Sequence, residues 1–341
     1  MIRLEKNGFK DFIDELITEY AVFAPVMNDG IYMFGNISSA EEIDSSRLNT
    51  ERSSKEIFFP HSEVLFEYDE NGIRVADGEK KPIAVWGMRG CDARSLRMLD
   101  KVFGGDGERP GNIKFEDPYW EKRYGDSLIF SVACNDPLST CFCNWFDSGP
   151  HDRAGADIFV VDIGDVFLMD AVSGKGEEFL KGLSSSGKAS EKDKKTAAVI
   201  AEDAVALMGK RTDLGGLNGK LKDLFHKPVW DSVSAKCVNC GACSFTCSTC
   251  HCFDIQDESR RGRGKRIRIW DTCMFPIFTK EASGHNPRAL SKERVRQRVM
   301  HKYSYFVDNH GEFLCTGCGR CIVVCPVNLD IREVIREVLA S

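Results

Sequence analysis

Six cysteines fall within sixteen residues, in the stretch "CVNCGACSFTCSTCHC" that runs from Cys237 to Cys252. Four of them have the spacing C-x2-C-x2-C-x3-C, and the same spacing recurs near the end of the chain, where Pro326 follows it. The first copy comprises Cys237, Cys240, Cys243 and Cys247, and the second comprises Cys315, Cys318, Cys321 and Cys325. Three thiolates at two-residue gaps can wrap one face of a 4Fe-4S cubane, while the fourth ligates the other cluster in two-cluster ferredoxins. The repeated spacing therefore predicts two 4Fe-4S clusters.

The ferredoxin rule assigns the ligands crosswise between the two copies. The first cluster takes Cys237, Cys240, Cys243 and Cys325, and the second takes Cys315, Cys318, Cys321 and Cys247. A glycine follows the second cysteine of each copy, at Gly241 and Gly319, as close wrapping of the backbone favours. Two zinc sites are the alternative, but structural zinc sites normally use two separated cysteine pairs, and this spacing does not match them.

A second group of thiols, Cys91, Cys134, Cys141 and Cys143, lies in the first half of the chain. Cys91 and Cys134 each follow a strand-like run, and the other two come in the next loop. Because neighbouring strand ends meet at one edge of an α/β sheet, these thiols are expected to converge and to hold a third 4Fe-4S cluster. The alternative is that Cys91 and Cys134 are small buried residues, which leaves Cys141 and Cys143 in a polar loop unexplained.

Cys250, Cys252 and Cys273 remain after these assignments. Three thiolates are too few for a cubane ligated by cysteine alone, so a fourth cluster here needs a further ligand such as His251, or an iron with an open position. The other interpretation is that the three thiols line the ferredoxin clusters and donate weak hydrogen bonds to their sulfur atoms. Both interpretations stay open from the sequence.

The composition is that of a globular protein in a reducing compartment. The 341 residues are 42% hydrophobic and 29% charged, with a net charge of -6, and no run approaches the roughly 18 apolar residues that a membrane span needs. The 15 cysteines are odd in number and lie in clusters with two-residue gaps, which suits metal ligation better than a disulfide framework. We therefore expect a cytoplasmic chain without a membrane span.

Apolar runs and turn residues predict an α/β domain over residues 1–228 and a mostly helical, dicluster ferredoxin-like domain over 229–341. Strand-like runs occur at 81–90, 126–134 and 157–169, and helical spacing occurs at 92–103, with Asp92 as the expected N-cap. Further helices are predicted between residues 171 and 225. The boundary is placed near residue 228, where "HKPVWDSVSAKC" leads into the cysteine-rich half.

A basic insert at 253–314 interrupts the cysteine-rich half, with the runs "RRGRGKRIR" and "KERVRQRVMHK". Aromatic residues are sparse between the charges and the whole chain is acidic, so no nucleic-acid partner is expected. Iron–sulfur clusters with four thiolates are anionic, so the insert is interpreted as stabilising reduced clusters or as docking onto an acidic partner. His251, His285 and His301 are more simply surface or hydrogen-bonded residues than ligands.

Longer stretches of the chain resemble one family. "CHCFD", "WDTC", "RVRQRVMHKYSYF" and "CTGCGRCIVVCPV" in the second half, and "FFPHSEVLFEYD", "GMRGCDARSL" and "VACNDPLSTCFC" in the first, are similar to 4Fe-4S dicluster electron-transfer subunits. This family is exemplified by the beta subunit of cytosolic sulfhydrogenases and by the corresponding iron–sulfur subunit of anaerobic sulfite reductase. The resemblance covers most of the chain. Ser248 stands where the family usually has proline, which directs the loop and does not ligate iron.

The resemblance implies an electron-transfer subunit of a cytoplasmic, multisubunit oxidoreductase, with no catalytic residue of its own. Single electrons would pass between a flavin subunit that meets NAD(P)H, or a ferredoxin, and a catalytic subunit that reduces protons, sulfur or sulfite. No G-x-G-x-x-G follows a strand and no P-loop is present, so the chain is expected to have no flavin or NAD site.

Three other functions remain open at this point. A subunit of this kind could serve a heterodisulfide reductase, or the chain could be a stand-alone iron–sulfur reductase with an open iron held by Cys250, Cys252 and Cys273. A free ferredoxin is the third alternative, but a diffusing carrier needs only the cluster-binding half, so the large amino-terminal domain argues against it.

Overall fold

A computed structural model describes residues 1–75, 81–104, 116–183 and 187–341 of the chain. The chain folds as two compact units, each assembled from separate stretches of sequence. The first unit comprises Met1–Phe58, Glu79–Arg211 and Thr316–Cys318, and the second comprises Phe59–Gly78, Thr212–Cys315 and Gly319–Ser341.

The strands are, in chain order, β1 (Ile2–Glu5), β2 (Ala21–Asn28), β3 (Ile31–Asn36), β4 (Ser62–Asp69), β5 (Gly72–Val75), β6 (Ile83–Met88), β7 (Leu128–Val132), β8 (Ile158–Asp162), β9 (Val166–Ala171), β10 (Gly187–Lys188), β11 (Phe253–Arg260) and β12 (Arg263–Trp270). The helices are α1 (Phe9–Glu19), α2 (Lys55–Phe58), α3 (Gly90–Phe103), α4 (Pro118–Tyr124), α5 (Gly174–Gly182), α6 (Glu191–Ala206), α7 (Leu217–Asp223), α8 (Val229–Ser234), α9 (Ala242–Phe245), α10 (Ser291–Met300), α11 (Phe306–His310), α12 (Arg320–Val323) and α13 (Ile331–Ala340).

The first unit is built on a mixed sheet with the strand order β10-β1-β9-β8-β7-β6-β2-β3. The four strands β2, β6, β7 and β8 run parallel, and their neighbours at both sides are antiparallel. Side chains alternate between the two faces, so that Ile158 packs in the same cluster as Phe12 and Leu180 of α1 and α5, whereas Phe159 packs with Ala197 of α6. Helices therefore cover both faces, and the predicted α/β fold is confirmed.

Strand β6 and helix α3 form the strand and helix that the sequence predicts at 81–90 and 92–103. Asp92 does not cap the helix as expected. The helix begins at Gly90, Arg89 holds the N-cap position in extended conformation, and Asp92 is buried in the first turn. The helix starts directly after the turn that ends β6, and this earlier start brings Cys91 into its first turn.

The second unit contains the ferredoxin-like loops, helices α7 to α13, and an antiparallel sheet with the order β11-β12-β4-β5. The predicted domain has a ferredoxin-like half as expected, but the sheet was not anticipated. Its two hairpins lie far apart in sequence, and pairs such as Ile267 with Val64 join them. The basic insert supplies β11 and β12, so part of its charge lies on strands.

The division of the chain differs from the predicted boundary near residue 228. The second unit begins at Thr212, because α7 packs with α13 and with the turn that follows α10. The hairpin of β4 and β5 also belongs to the second unit, since β4 pairs with β12 along most of its length. A search of the described residues for helices long and apolar enough to cross a membrane finds none.

Candidate iron–sulfur sites

The two cysteine motifs share one backbone conformation. In each copy the residue before the second cysteine and the glycine after it have positive φ: Asn239 (+54°) and Gly241 (+77°) in the first, Gly317 (+66°) and Gly319 (+78°) in the second. In each copy a four-residue helix, α9 or α12, then starts directly after that glycine. The left-handed conformation favours glycine or asparagine, so the sequence repeat and the structural repeat have the same cause.

Four cysteines from both motifs line one cavity of the second unit. Cys237, Cys240 and Cys243 come from the loop before α9, and Cys325 follows α12. Cys240 is exposed and the other three are half-buried. Burial raises the pKa of Cys237, and the neighbouring thiols of Cys243, Cys240 and Cys325 act in the same direction. The structure therefore brings together the four thiols that the crosswise rule selects for the first cluster.

The fourth cysteine of the first motif, Cys247, is buried beside a buried ammonium. Lys302 Nζ lies 3.2 Å from Cys247 Sγ and interacts electrostatically with Cys250 and Cys315 as well. Tyr303, the next residue, hydrogen bonds to Cys315, and burial together with Cys315 raises its pKa. These contacts place Cys247 and Cys315, two predicted ligands of the second cluster, around the same two residues.

The third cysteine of the second motif, Cys321, faces the Arg298 guanidinium. Burial alone would lower the pKa of Arg298, but the thiolates of Cys243, Cys321, Cys250 and Cys247 raise it well above its usual range. The buried Nε of Arg298 has no hydrogen-bond partner among the described residues. A cationic side chain with an unpaired buried nitrogen fits the neighbourhood of a net-anionic group, as an iron–sulfur cluster held by four thiolates is.

Cys318 is placed differently from its neighbours in the motif. The segment Thr316–Cys318 belongs to the first unit, where the amide of Phe142 donates a 2.8 Å hydrogen bond to the carbonyl of Gly317. Asn49 Nδ2 lies 3.5 Å from the Cys318 carbonyl oxygen and 4.0 Å from Cys141 Sγ. Within the first unit, the segment that carries Cys318 therefore contacts the loop that carries Cys141 and Cys143.

Three of the four first-half cysteines lie together in the first unit. Burial raises the pKa of Cys143 to about 12, and the thiols of Cys141 and Cys134 add to this effect. Burial also raises the pKa of Cys134, against a smaller opposite effect of the Arg89 guanidinium. Cys91 lies in the first turn of α3, which follows β6, and β6 and β7 are parallel neighbours. Cys91 and Cys134 therefore follow adjacent strand ends, as the sequence predicted.

Arg89 is a contributor to this region that sequence analysis did not identify. Its guanidinium donates hydrogen bonds of 2.8 Å to the carbonyls of Leu48 and Ala133. These bonds fix the loop immediately before Cys134 and hold a positive charge beside the thiol. The arginine directly after a strand and before a helix, in "GMRGC", was the available signal.

The remaining three cysteines lie next to the predicted cluster ligands. A hydrogen bond with Cys247, together with burial, raises the pKa of Cys250 well above its usual range. A hydrogen bond with Cys252, followed by burial, likewise raises the pKa of Cys273. Cys250 also acts electrostatically on Cys273, so the three thiols are neighbours, and Cys247 joins them. The arrangement accommodates either interpretation, a further cluster or thiols that line the second one.

The histidines do not form a common site. His251 Nδ1 lies 3.1 Å from the carbonyl oxygen of Thr249, and its ring meets that of His301 edge-on at 5.3 Å between centroids. Burial, with the charges of Lys302 and Arg288, lowers the pKa of His301 to about 4. Among the described residues, no group of three or more His, Cys, Asp or Glu side chains has the arrangement of a single-ion metal site.

The basic insert divides into paired surface charges and buried cations. On the hairpin, Arg266 forms two hydrogen bonds with Asp257, and Arg268 is buried against Glu63 with a 3.0 Å bond. On α10 and the turn after it, Arg298 and Lys302 are buried among cysteines. The helical spacing of four residues between these two was the signal that placed them on one face.

Comparison with known proteins agrees with the cysteine pattern. Residues 236–329, which contain both motifs and the basic insert, match the family model described as a 4Fe-4S dicluster domain. The chain is 29% identical over 339 residues to sulfhydrogenase 2 subunit beta of Pyrococcus furiosus, covering 99% of this chain and 98% of that protein. No solved structure matches. The chain therefore belongs to the 4Fe-4S dicluster electron-transfer subunits, the family that its motifs resemble.

Proposed function

We propose that this chain passes single electrons between two partner subunits of an oxidoreductase. One partner would carry a flavin and meet NAD(P)H, or be a ferredoxin, and the other would reduce protons, sulfur or sulfite. The single observation that carries the proposal is the assembly of Cys237, Cys240, Cys243 and Cys325 around one cavity, within a matched dicluster domain. The relative over nearly the full length is named as a hydrogenase subunit, which favours proton reduction or hydrogen oxidation in the partner.

The proposed ligands form two ferredoxin-type sets. The first comprises Cys237, Cys240, Cys243 and Cys325, and the second comprises Cys315, Cys318, Cys321 and Cys247. Bound 4Fe-4S clusters would supply one-electron redox chemistry at potentials that their surroundings tune. The thiols hold the iron, the two glycines keep the loops close, and the buried cations offset the negative charge that reduction adds.

A third 4Fe-4S site at Cys91, Cys134, Cys141 and Cys143 is part of the proposal. The proximity of Cys134, Cys141 and Cys143 in the first unit supports it. The hydrogen bond between Phe142 and Gly317 supports an electron path from this site towards Cys318, because it joins the two loops directly. Cys143→Ala should remove about four iron atoms per chain. Unchanged iron content and unchanged EPR spectra would contradict the third site.

The test of the function is anaerobic native purification from the source cells. Mass spectrometry should identify co-purifying chains, and the complex should be assayed for nickel, siroheme, flavin and iron. Flavin with nickel would identify a hydrogenase complex, and flavin with siroheme would identify a sulfite reductase. Reduction of a substrate by the isolated chain would instead support a stand-alone reductase. A chain that purifies without partners would contradict the proposal.

A further inference from the structure

Two cations of the basic insert are buried beside the predicted cluster ligands. Arg298 is 7% exposed and Lys302 is 2% exposed, and four residues separate them, so both lie on one face of the helix. Helix α10 passes into a π-helical turn at His301–Tyr305, which contains Lys302. Such turns are rare and occur frequently at functional sites.

The Lys302 ammonium has a defined partner for each of its three N–H donors. Nζ lies 2.7 Å from Thr249 Oγ1, 3.0 Å from the carbonyl oxygen of Leu314 and 3.2 Å from Cys247 Sγ. Two neutral oxygens thus fix the ammonium so that the third donor meets the sulfur. Thr249 is itself held by a 2.8 Å bond to the Leu314 carbonyl, which makes the arrangement rigid.

Lys302 lacks a carboxylate partner within the part of the chain that the structure describes, since its hydrogen bonds go to two neutral oxygens and a sulfur. A buried ammonium without a compensating negative charge is strongly unfavourable. The negative charge is therefore expected on sulfur, as it is when Cys247 is a thiolate ligand. The geometry alone, a third donor directed at Sγ, gives the same indication.

Arg298 occupies a different position relative to the ligands. One terminal nitrogen lies 3.5 Å from the carbonyl oxygen of Cys243, and the guanidinium acts electrostatically on Cys243 and Cys321. These two cysteines belong to different proposed clusters. Lys302, in contrast, faces Cys247 and Cys315, which both belong to the second ligand set.

We propose that Lys302 is a positioning residue that donates a hydrogen bond to the Cys247 thiolate and raises the reduction potential of the second cluster selectively. This inference rests on the proposed function. One electron from the donor partner adds one negative charge beside the ammonium, and both the charge and the N–H···S bond stabilise that reduced state. Arg298 lies between the two ligand sets and acts on both.

The experiment is an EPR-monitored redox titration of the full-length chain, purified anaerobically with its clusters. Lys302→Met removes the charge and the donors while keeping the length of the side chain. At a fixed potential, the ratio of reduced to oxidised second cluster should fall at least tenfold, which corresponds to about 59 mV in midpoint potential for one electron. The first cluster should keep its midpoint. Lys302→Arg should restore most of the ratio, because the charge remains.

The matched control is Lys292→Met, which removes the same charge from an exposed position on α10. Lys292 is 37% exposed and pairs with Asp231 at the surface, so its removal should leave both midpoints unchanged. If Lys302→Met retains all its iron but both midpoints equal those of the wild type, the inference is wrong. Equal shifts of both clusters would also overturn it, because they would show a general charge effect.

Loss of iron in Lys302→Met would be resolved by comparing Lys302→Gln with Lys302→Arg. A lower midpoint in the glutamine variant supports the role of the charge, and equal midpoints refute it. The proposed function fails separately, if the wild-type chain itself shows no reducible 4Fe-4S signals. The two failures are therefore distinguishable.

Discussion

Substitution of Gly317 tests how the second motif is seated. A Cβ added there would lie 2.5 Å from the backbone nitrogen of Cys143 and 2.5 Å from the carbonyl oxygen of Phe142. These are backbone atoms, which cannot rotate aside as the end of a flexible side chain can. Gly317 also has a φ of +66°, which side chains rarely adopt. We therefore expect Gly317→Ala to disturb both loops.

The size of the effect follows from two contributions. Left-handed backbone costs an L-residue roughly 1–2 kcal/mol, and overpacking a tight contact typically costs about 1–3 kcal/mol. The sum is about 2–5 kcal/mol. Since about 1 kcal/mol shifts Tm by roughly 2–4 °C in domains of 150–250 residues, the Tm should fall by roughly 4–20 °C. Iron content should fall as well, because the loops that carry Cys318 and Cys143 are pushed apart.

The control for Gly317→Ala is Gly30→Ala, also in the first unit. Gly30 has a φ of +78°, but no atom lies within 4 Å of the added Cβ, so only the backbone cost applies. Its Tm should fall by roughly 2–8 °C at full iron content. Differential scanning fluorimetry and iron analysis on anaerobic samples measure both variants. Equal losses of Tm, with iron retained in both, would refute the reasoning.

Two further substitutions test the packing and its charges. Glu63→Ala strands the buried Arg268 guanidinium and should cost about 3–5 kcal/mol of stability, whereas Asp257→Ala, which breaks the exposed pair with Arg266 on the same hairpin, should cost at most about 1 kcal/mol; similar thermal shifts would contradict this contrast. Burial, then Arg153, lowers the pKa of His151, so the unfolded chain holds its proton more tightly and stability should fall as pH drops below about 6.5. His151→Gln should flatten the curve of Tm against pH, and parallel curves would refute the prediction.

The sequence by itself determined the ferredoxin-like part of this protein. Ligand spacing is local, so the two motifs and their glycines could be interpreted without any long-range contact. The loops around Cys237 and Cys315 have the repeated backbone that the repeated sequence implies. The α/β character of the first unit was accessible for the same reason, since strand and helix periodicity is a property of short segments.

Long-range pairing was not accessible from local patterns. The hairpin of β4 and β5 joins β12 through pairs such as Ile267 with Val64, and about two hundred residues separate the partners. A charged strand with arginine at alternate positions has no local feature that names its partner. The unit boundary followed from this pairing, so it too was missed.

Only the tertiary structure decided which basic residues matter to the clusters. Arg266 and Lys302 are equally charged in the sequence, yet the first pairs with Asp257 at the surface and the second is buried against Cys247. The same holds for Gly317, whose close contact with Cys143 arises from another part of the chain. Spacing fixes which atoms can ligate iron, because ligation is local. Burial and charge environment depend on how distant segments pack, and they set what the ligated iron can do.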